Sequence, residues 1–197
     1  MRRPLRAGVV FAVLAILGAG CSSTPPARFY TLSSTSAPAA ASSELSVAVG
    51  PVAVPAAVDR PQIVVSLGPN RVWLDEFNRW AAPLQDDIAR VVAENLAAML
   101  GTPRVAVSPK TLSAGMEYRA VIEVQRFDSA PGDAATVDYV WTVTRARDGK
   151  TQTGRMSMRE ATTAPGYEGL AAAHSRAVTR LCRDIADAAL ALDRAGR

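Results

Sequence analysis

The chain is predicted to fold as one α+β domain, a mostly antiparallel or mixed β-sheet with two long amphipathic helices packed on it. Apolar residues recur every three or four positions over 83–100 and 169–192, which is typical of helices with one buried face. Apolar and polar residues alternate over 118–124 and 137–143, which is typical of strands with one covered face. Since 177 of the 197 residues follow the N-terminal twenty, the length suits one domain with a full core.

The first twenty residues are organised like a secretory signal peptide. Three arginines supply positive charge near the start: Arg2, Arg3 and Arg6. Residues 9–20 are apolar or small, a run too short for a transmembrane helix, and Cys21 follows directly. A cysteine at the cleavage point is typical of bacterial lipoproteins, in which the thiol is acylated. We therefore expect a signal peptide at 1–20, a covalent lipid on Cys21 and an acylated tether at 21–27.

Two neighbouring positions bear on this lipoprotein signal. Gly18 stands where such signals usually carry leucine. The alternative is an ordinary secreted protein whose first mature cysteine is incidental. By analogy with enterobacterial lipoproteins, Ser22 after the cysteine allows export to the outer membrane, where we expect the protein to be anchored and to face the periplasm.

Composition narrows the classes of function. The chain has 22 Lys and Arg against 18 Asp and Glu, and loss of the three signal-peptide arginines leaves a net charge of +1. No basic run is present that would form a nucleic-acid footprint. If Cys21 is lipidated, Cys182 has no disulfide partner in its own chain, and its helical surroundings predict a small buried side chain.

Short strands are predicted before the first helix. Residues 28–32 are a strand candidate with two aromatics, whereas residues 33–43 are rich in Ser, Ala, Pro and Thr and are predicted to be a loop too polar to pack. Residues 45–54 form a second strand candidate, in which Gly50-Pro51 predicts a bulge or an edge position. Residues 62–66 and 71–76 flank a turn and predict a hairpin.

The remaining elements follow in order. Pro83 suits the start of a helix that runs to Leu100, and Gly101 suits its end. Four further strand candidates lie at 104–107, 118–124, 137–143 and 151–161, with a hairpin turn at Asp148-Gly149. The last helix is predicted from about 169 to 192, so the domain spans 28–192 and leaves a tail at 193–197.

The sequence predicts no catalytic site. His174 is the only histidine, and it falls on the apolar stripe of the last helix, where a satisfied, partly buried imidazole is expected. The mature chain offers too few His and Cys residues for a zinc site, and it has neither a phosphate-binding loop nor a nucleophile elbow. The acidic pairs Asp75-Glu76 and Asp86-Asp87 are interpreted as solvated charge. We expect no enzyme activity, no metal and no cofactor beyond the lipid.

An aromatic and basic cluster precedes the first helix. Its members are Arg71, Trp73, Phe77, Arg79 and Trp80. The favoured interpretation is a loop pinned to the core by its aromatics. A second is a surface that binds a partner protein, since Trp and Arg are enriched at binding hot spots. A third is contact with a lipid surface, because Trp suits an interface.

Several segments together resemble a known family. They are RFYTL (28–32), VAVGPVAVP (47–55), DRPQIV (59–64) and RWAAPLQDDIARVVAENLAAMLG (79–101), and the likeness runs from Arg28 to about Leu192. In these features the chain resembles the ABC-type transport auxiliary lipoproteins, which include PqiC-like subunits of membrane-integrity transporters.

The resemblance implies a role in transport and transfers no enzymatic residues. Such lipoproteins accompany a PqiB-like MCE-domain protein and its membrane permease, which move phospholipid-like molecules between two membranes. PqiC-like members are expected to dock or cap the MCE assembly at the outer membrane. The alternatives are a lipid-binding carrier and a simple envelope tether. The carrier's pocket would be lined by the apolar stripes of the helices and by Ile122, Val124, Val140 and Trp141. Self-association through edge strands near Gly50-Pro51 stays open.

Overall fold

The computed structural model describes residues 25–40, 42–108 and 114–196, which form eight strands and two helices in one domain. In chain order the elements are β1 (Arg28–Tyr30), β2 (Val47–Ala53), β3 (Gln62–Ser66), β4 (Val72–Trp80), α1 (Leu84–Leu100), β5 (Val105–Val107), β6 (Tyr118–Ala130), β7 (Ala134–Arg145), β8 (Thr151–Ala161) and α2 (Gly166–Arg194). The predicted α+β class is confirmed, and β3 and β8 have the bounds that the sequence predicted.

The eight strands form one mixed sheet around β6. The first half of β6 pairs in parallel with β2, its far end pairs in parallel with β3, and its other edge pairs with β7, which is antiparallel. β8 continues antiparallel beside β7, and β5 lies parallel to β2. β4 is antiparallel to β3, and β1 is parallel to β4. The sheet is therefore mixed, with parallel pairs between β2 and β6 and between β3 and β6, because β2 and β3 pair with β6 from distant parts of the chain.

The structure confirms a predicted bulge and a predicted hairpin turn. Gly50-Pro51 is a cis peptide bond in β2, and the β2–β6 register shifts between Val49 and Val52, which confirms a bulge. Asp148-Gly149 connects β7 to β8 as predicted. β6 and β7 are longer than their alternating runs indicated, since the pairing continues past a register shift between Val124 and Arg126 to Ala130 and Ala134.

Both helices cover the same face of the sheet. α1 follows Pro83 and ends at Gly101, whose left-handed backbone (φ 61°) lets its N–H bond the last turn of the helix. α2 packs against α1 and against β6, β7 and β8. The core lies between the helices and the sheet and includes Ile88, Val92, Ile122, Tyr139, Leu181 and Ile185.

The described residues of 33–43 form a loop, as predicted, but several hydrogen bonds hold this loop against the helices, which corrects the expectation that it is too polar to pack. From the loop, the hydroxyls of Ser34 (3.0 Å) and Ser36 (2.5 Å) donate to Asn95 Oδ1. The hydroxyl of Thr179 on α2 donates to the same oxygen at 3.1 Å. The Ala39 N–H donates to the Ala98 carbonyl at 2.8 Å. Small polar side chains pack here because a buried asparagine between the helices needs partners.

Asp87 corrects a second prediction, since its carboxylate is buried. Its Oδ2 accepts a 2.7 Å hydrogen bond from the Leu32 N–H, and its Oδ1 accepts one of 2.5 Å from Arg90. Arg90 also donates to the Leu32 carbonyl. The carboxylate is therefore a structural link between the chain after β1 and the first turns of α1, whereas solvated charge was expected.

Candidate functional site

The exposed apolar side chains of the described protein gather at one place, the hairpin of β3 and β4 with the neighbouring strand β1. The large exposed hydrophobic residues are Phe29, Leu67, Val72, Trp73, Leu74 and Phe77. Trp73 keeps 56% of its surface exposed, which is unusual for a large apolar side chain. A concentrated apolar patch of this kind is typical of a surface that another molecule or a membrane covers.

The outer edge of β4 is largely open in the part of the chain that the structure describes. β1 pairs with β4 only at Asn78–Trp80, so Val72–Asp75 has a partner strand on the β3 side alone, and Glu76 and Phe77 lie in a register shift. Trp73 lies opposite Val65 and Leu74 lies opposite Val64. Because side chains alternate along a strand, these two apolar residues point to opposite faces of the hairpin.

A bulge built around Asp75 separates this open part of β4 from its base. The β3–β4 register shifts here, from Ile63 opposite Asp75 to Gln62 opposite Arg79. Asp75 Oδ1 accepts hydrogen bonds of 2.9 Å from the N–H groups of both Phe77 and Asn78. The carboxylate therefore satisfies backbone donors that the shifted ladder leaves without strand partners.

The same carboxylate connects the hairpin directly to α2, and it is linked to β1 through Asn78. Tyr167 donates to Asp75 Oδ2 at 2.5 Å, and the Asn78 amide donates to it at 2.9 Å. Tyr30 donates to Asn78 Oδ1 at 2.8 Å, and its ring lies 5.7 Å from that of Tyr167. Partial burial raises the pKa of Asp75, but the hydrogen bonds led by Tyr167 outweigh it and the pKa is lowered. Burial and the neighbouring carboxylate raise the pKa of Tyr167, which stays protonated.

The five residues of the predicted aromatic and basic cluster do not form one patch. Trp80 is only 4% exposed and packs edge-on against Phe127 in the core, out of reach of a surface partner. Arg79 donates to the Glu76 carbonyl at 2.8 Å and lies 3.4 Å from the Glu76 carboxylate. Arg71, Trp73 and Phe77 are exposed. The cluster thus includes a core anchor, as the favoured interpretation had it, and a separate exposed set.

His174 and Cys182 lie inside the core. The His174 ring stacks on Phe127 with centroids 3.8 Å apart, and its Nε2 lies 2.9 Å from the Ser129 hydroxyl. Burial lowers the pKa of His174 to about 3, so the imidazole is neutral. Cys182 is buried as predicted, and burial raises the pKa of its thiol. Neither side chain is open to a substrate.

Two further observations concern the described ranges alone. Within them, no group of three or more His, Cys, Asp or Glu side chains is placed to hold a metal ion. No helix there has the length and apolar character needed to cross a membrane. Cys21 and the predicted signal peptide lie outside the described residues.

Comparison with solved structures supports the fold. A protein of the DUF330 family from Xanthomonas campestris has a TM-score of 0.69 at 18% identity, over 87% of this chain and 100% of its own. An uncharacterised protein has a TM-score of 0.67 at 17% identity, over 83% and 98%. The dodecameric PelC of Paraburkholderia phytofirmans is more distant, with a TM-score of 0.41 at 14% identity, over 78% and 92%. No curated protein sequence matches the chain.

Family assignment follows from the sequence between the first strand and the last helix. The family model described as the ABC-type transport auxiliary lipoprotein component matches residues 30–186. This range includes β2 to β8, all of α1 and most of α2, so the match extends over most of the folded domain. The chain belongs to the family of ABC-type transport auxiliary lipoprotein components.

Proposed function

We propose that this protein is a lipid-anchored auxiliary subunit of an MCE-type intermembrane lipid transport system. It docks or caps the periplasm-spanning assembly of a PqiB-like MCE protein at the outer membrane, and it supports membrane integrity. The family match over residues 30–186 carries the proposal, because it associates the domain with an ABC-type transporter. The partners are the MCE-domain protein and its membrane permease, and copies of this chain are further candidate partners.

The anchor is the covalent lipid on Cys21. Residues 1–20 are the signal peptide, 21–27 the acylated tether and 28–192 the domain that faces the periplasm, followed by the tail at 193–197. The domain would then stay within a short distance of the membrane, because only six residues lie between Cys21 and the first residue of β1. More than one acyl chain makes such anchoring stable.

The proposed role is non-enzymatic. His174 and Cys182, the side chains best suited to acid–base or nucleophilic chemistry, are enclosed in the core. Asp75 accepts hydrogen bonds from backbone N–H groups and from a tyrosine. Asp87 accepts them from a backbone N–H group, a threonine and an arginine. These contacts support structural roles for both carboxylates.

The arrangement of the core favours docking over the carrier alternative. Ile122, Val124 and Trp141 are buried and pack in the core cluster with the helices. Val140 is only half-buried and, by strand alternation, lies on the opposite face of β7 from Trp141. The four residues named for a lipid pocket therefore do not line one cavity. Native mass spectrometry of the acylated protein with a non-covalent lipid bound would reverse this preference.

A crosslinked pull-down from the native envelope tests the proposed function. The full-length protein is captured, and its partners are identified by mass spectrometry. An MCE-domain protein and a permease among the main partners are expected. Cys21→Ser is the matched control, since it removes the anchor and leaves the domain unchanged. Recovery of the acylated protein alone in outer-membrane fractions would contradict the docking role.

A further inference from the structure

The direction of β1 relates the lipid anchor to the exposed hairpin. β1 runs parallel to β4, with Arg28 opposite Asn78. In a parallel pair, the chain before Arg28 leaves toward the same end as the chain before Asn78, which is the end where residues 67–71 form the hairpin turn. The chain therefore enters β1 from the side of the hairpin turn.

The distances agree with this direction. Six residues lie between Cys21 and Arg28, and the seven steps from one to the other span at most about 25 Å in an extended chain. The six steps from Val72 to Asn78 cover roughly 20 Å of strand. The anchor can thus reach the level of the hairpin turn, and its tether is too short to place the membrane far beyond it.

The chemistry of the hairpin turn suits a lipid surface. Residues 67–74, here called the hairpin tip, include Leu67, Val72, Trp73 and Leu74, all exposed. Trp73 and Leu74 point to opposite faces, so a protein partner docking on one face would leave the other in water. A lipid interface accepts apolar side chains on every side, and tryptophan and arginine are both suited to its polar boundary. Arg71 is exposed at the tip and forms no ion pair with any described residue.

The hairpin tip is also held in a fixed direction. Val65 lies opposite Ser129, one residue before β6 ends, so residues beyond Ser66 project past the end of β6. At the base of the hairpin, Asp75 accepts a hydrogen bond from Tyr167 at the start of α2. The protrusion is therefore supported on one side by β6 and on the other by α2.

We infer that the hairpin tip inserts into the surface of the phospholipid leaflet that holds the Cys21 acyl chains, as a second contact with the membrane. The inference rests on the lipid anchor of the proposed function. It gives Arg71 and Trp73 a lipid surface as their partner. Phe77 and Phe29 lie nearer the base of the hairpin, at the level where the domain leaves the membrane.

Quenching of tryptophan fluorescence tests the inference. Mature acylated protein is reconstituted into vesicles of phosphatidylethanolamine and phosphatidylglycerol, with or without brominated acyl chains. The chain has three tryptophans, of which Trp80 and Trp141 are buried and Trp73 is exposed. The difference between wild type and Trp73→Phe isolates the emission of Trp73. We expect most of that emission to be lost in brominated vesicles and to be blue-shifted in unbrominated ones.

A tryptophan placed at the far end of the sheet is the matched control. Thr153 is exposed on β8, at the opposite edge of the sheet and toward the end of β6 that lies away from the hairpin tip. Thr153→Trp in the Trp73→Phe background should keep its emission in brominated vesicles. Quenching of both positions alike would show that the domain lies flat or is adsorbed without a preferred contact, and would overturn the inference.

The outcomes separate this inference from the anchor on which it rests. If the protein floats with vesicles but Trp73 is not quenched, the anchor stands and the insertion is wrong. A Trp73 that is unquenched by lipid and becomes blue-shifted when the MCE protein is added would identify a protein partner instead. If the acylated protein does not float with vesicles at all, both the anchor and the insertion are wrong.

Discussion

At the scale of single residues, His174 is enclosed by Phe127 and Trp80, and its imidazole stays neutral because burial disfavours the charged form. Burial lowers its pKa to about 3 from an ordinary value of 6.5. The unfolded chain therefore binds one more proton than the folded protein between these two values. As a result, the stabilising contribution of neutral His174 is complete above pH 6.5 and is lost as the pH falls toward 3.

This gives a prediction for the pH dependence of folding. Below pH 6.5, His174 should remove roughly 1 kcal/mol of unfolding free energy for each pH unit. His174→Phe keeps a ring beside Phe127 and removes the titration, so its stability should fall less steeply with acid. Urea unfolding at a series of pH values measures both slopes. Equal slopes would show that His174 does not titrate differently in the two states.

At the scale of elements, the bulge in β4 depends on the Asp75 carboxylate, which bonds groups of β4 and of α2. Asp75→Ala removes the acceptor of the Phe77 and Asn78 N–H groups, and we expect a loss of about 1–3 kcal/mol of unfolding free energy. Tyr167→Phe removes a single donor and should cost about 1 kcal/mol. Urea denaturation of the two single variants measures both changes.

The double variant decides whether the two residues act together. Once Asp75 is alanine, Tyr167→Phe should cost much less than it does alone, because the hydroxyl has already lost its acceptor. Tyr118→Phe is the matched control, since Tyr118 begins β6, at the end away from the hairpin, and its hydroxyl donates to Asp193. Full additivity for Tyr167 would remove Asp75 as the link between the hairpin and α2.

Elements differ in how well the sequence predicts them. α1 agrees closely, because Pro83 and Gly101 mark both ends and its apolar residues recur with helical spacing. β4 was predicted to end at Glu76, whereas it continues through the bulge to Trp80. The continuation depends on Asp75 and on pairing with β1, a strand almost fifty residues earlier, and no local pattern contains that contact. The same reason applies to 33–43, whose polar composition predicts the loop but not its hydrogen bonds to Asn95 and to the Ala98 carbonyl.

At the scale of the whole molecule, Cys182 reports on global opening of the fold. It lies on α2 where α2 packs against α1, with its Sγ 3.9 Å from the Val92 carbonyl. Burial raises the pKa of the thiol, which further limits its reactivity. We expect a thiol-specific reagent at mildly alkaline pH to modify Cys182 only as fast as the whole domain unfolds.

Labelling followed by mass spectrometry measures this rate. The rate should rise with urea in parallel with global unfolding, and fully denatured protein, in which the thiol is accessible, is the control. If Cys21 carries the lipid, Cys182 is the chain's remaining free thiol, so the labelled site is unambiguous. Fast labelling in native buffer would show that α1 and α2 separate without unfolding of the sheet.

The sequence by itself determined the α+β class, both helices and the resemblance to a family of transport auxiliary lipoproteins, because these depend on periodicity and on local motifs. It also singled out the cluster before α1. Only the tertiary structure divided that cluster into a buried Trp80 and an exposed set, and placed the hairpin tip at the end from which the chain enters β1. Burial and strand direction depend on contacts between distant parts of the chain, which local patterns do not contain.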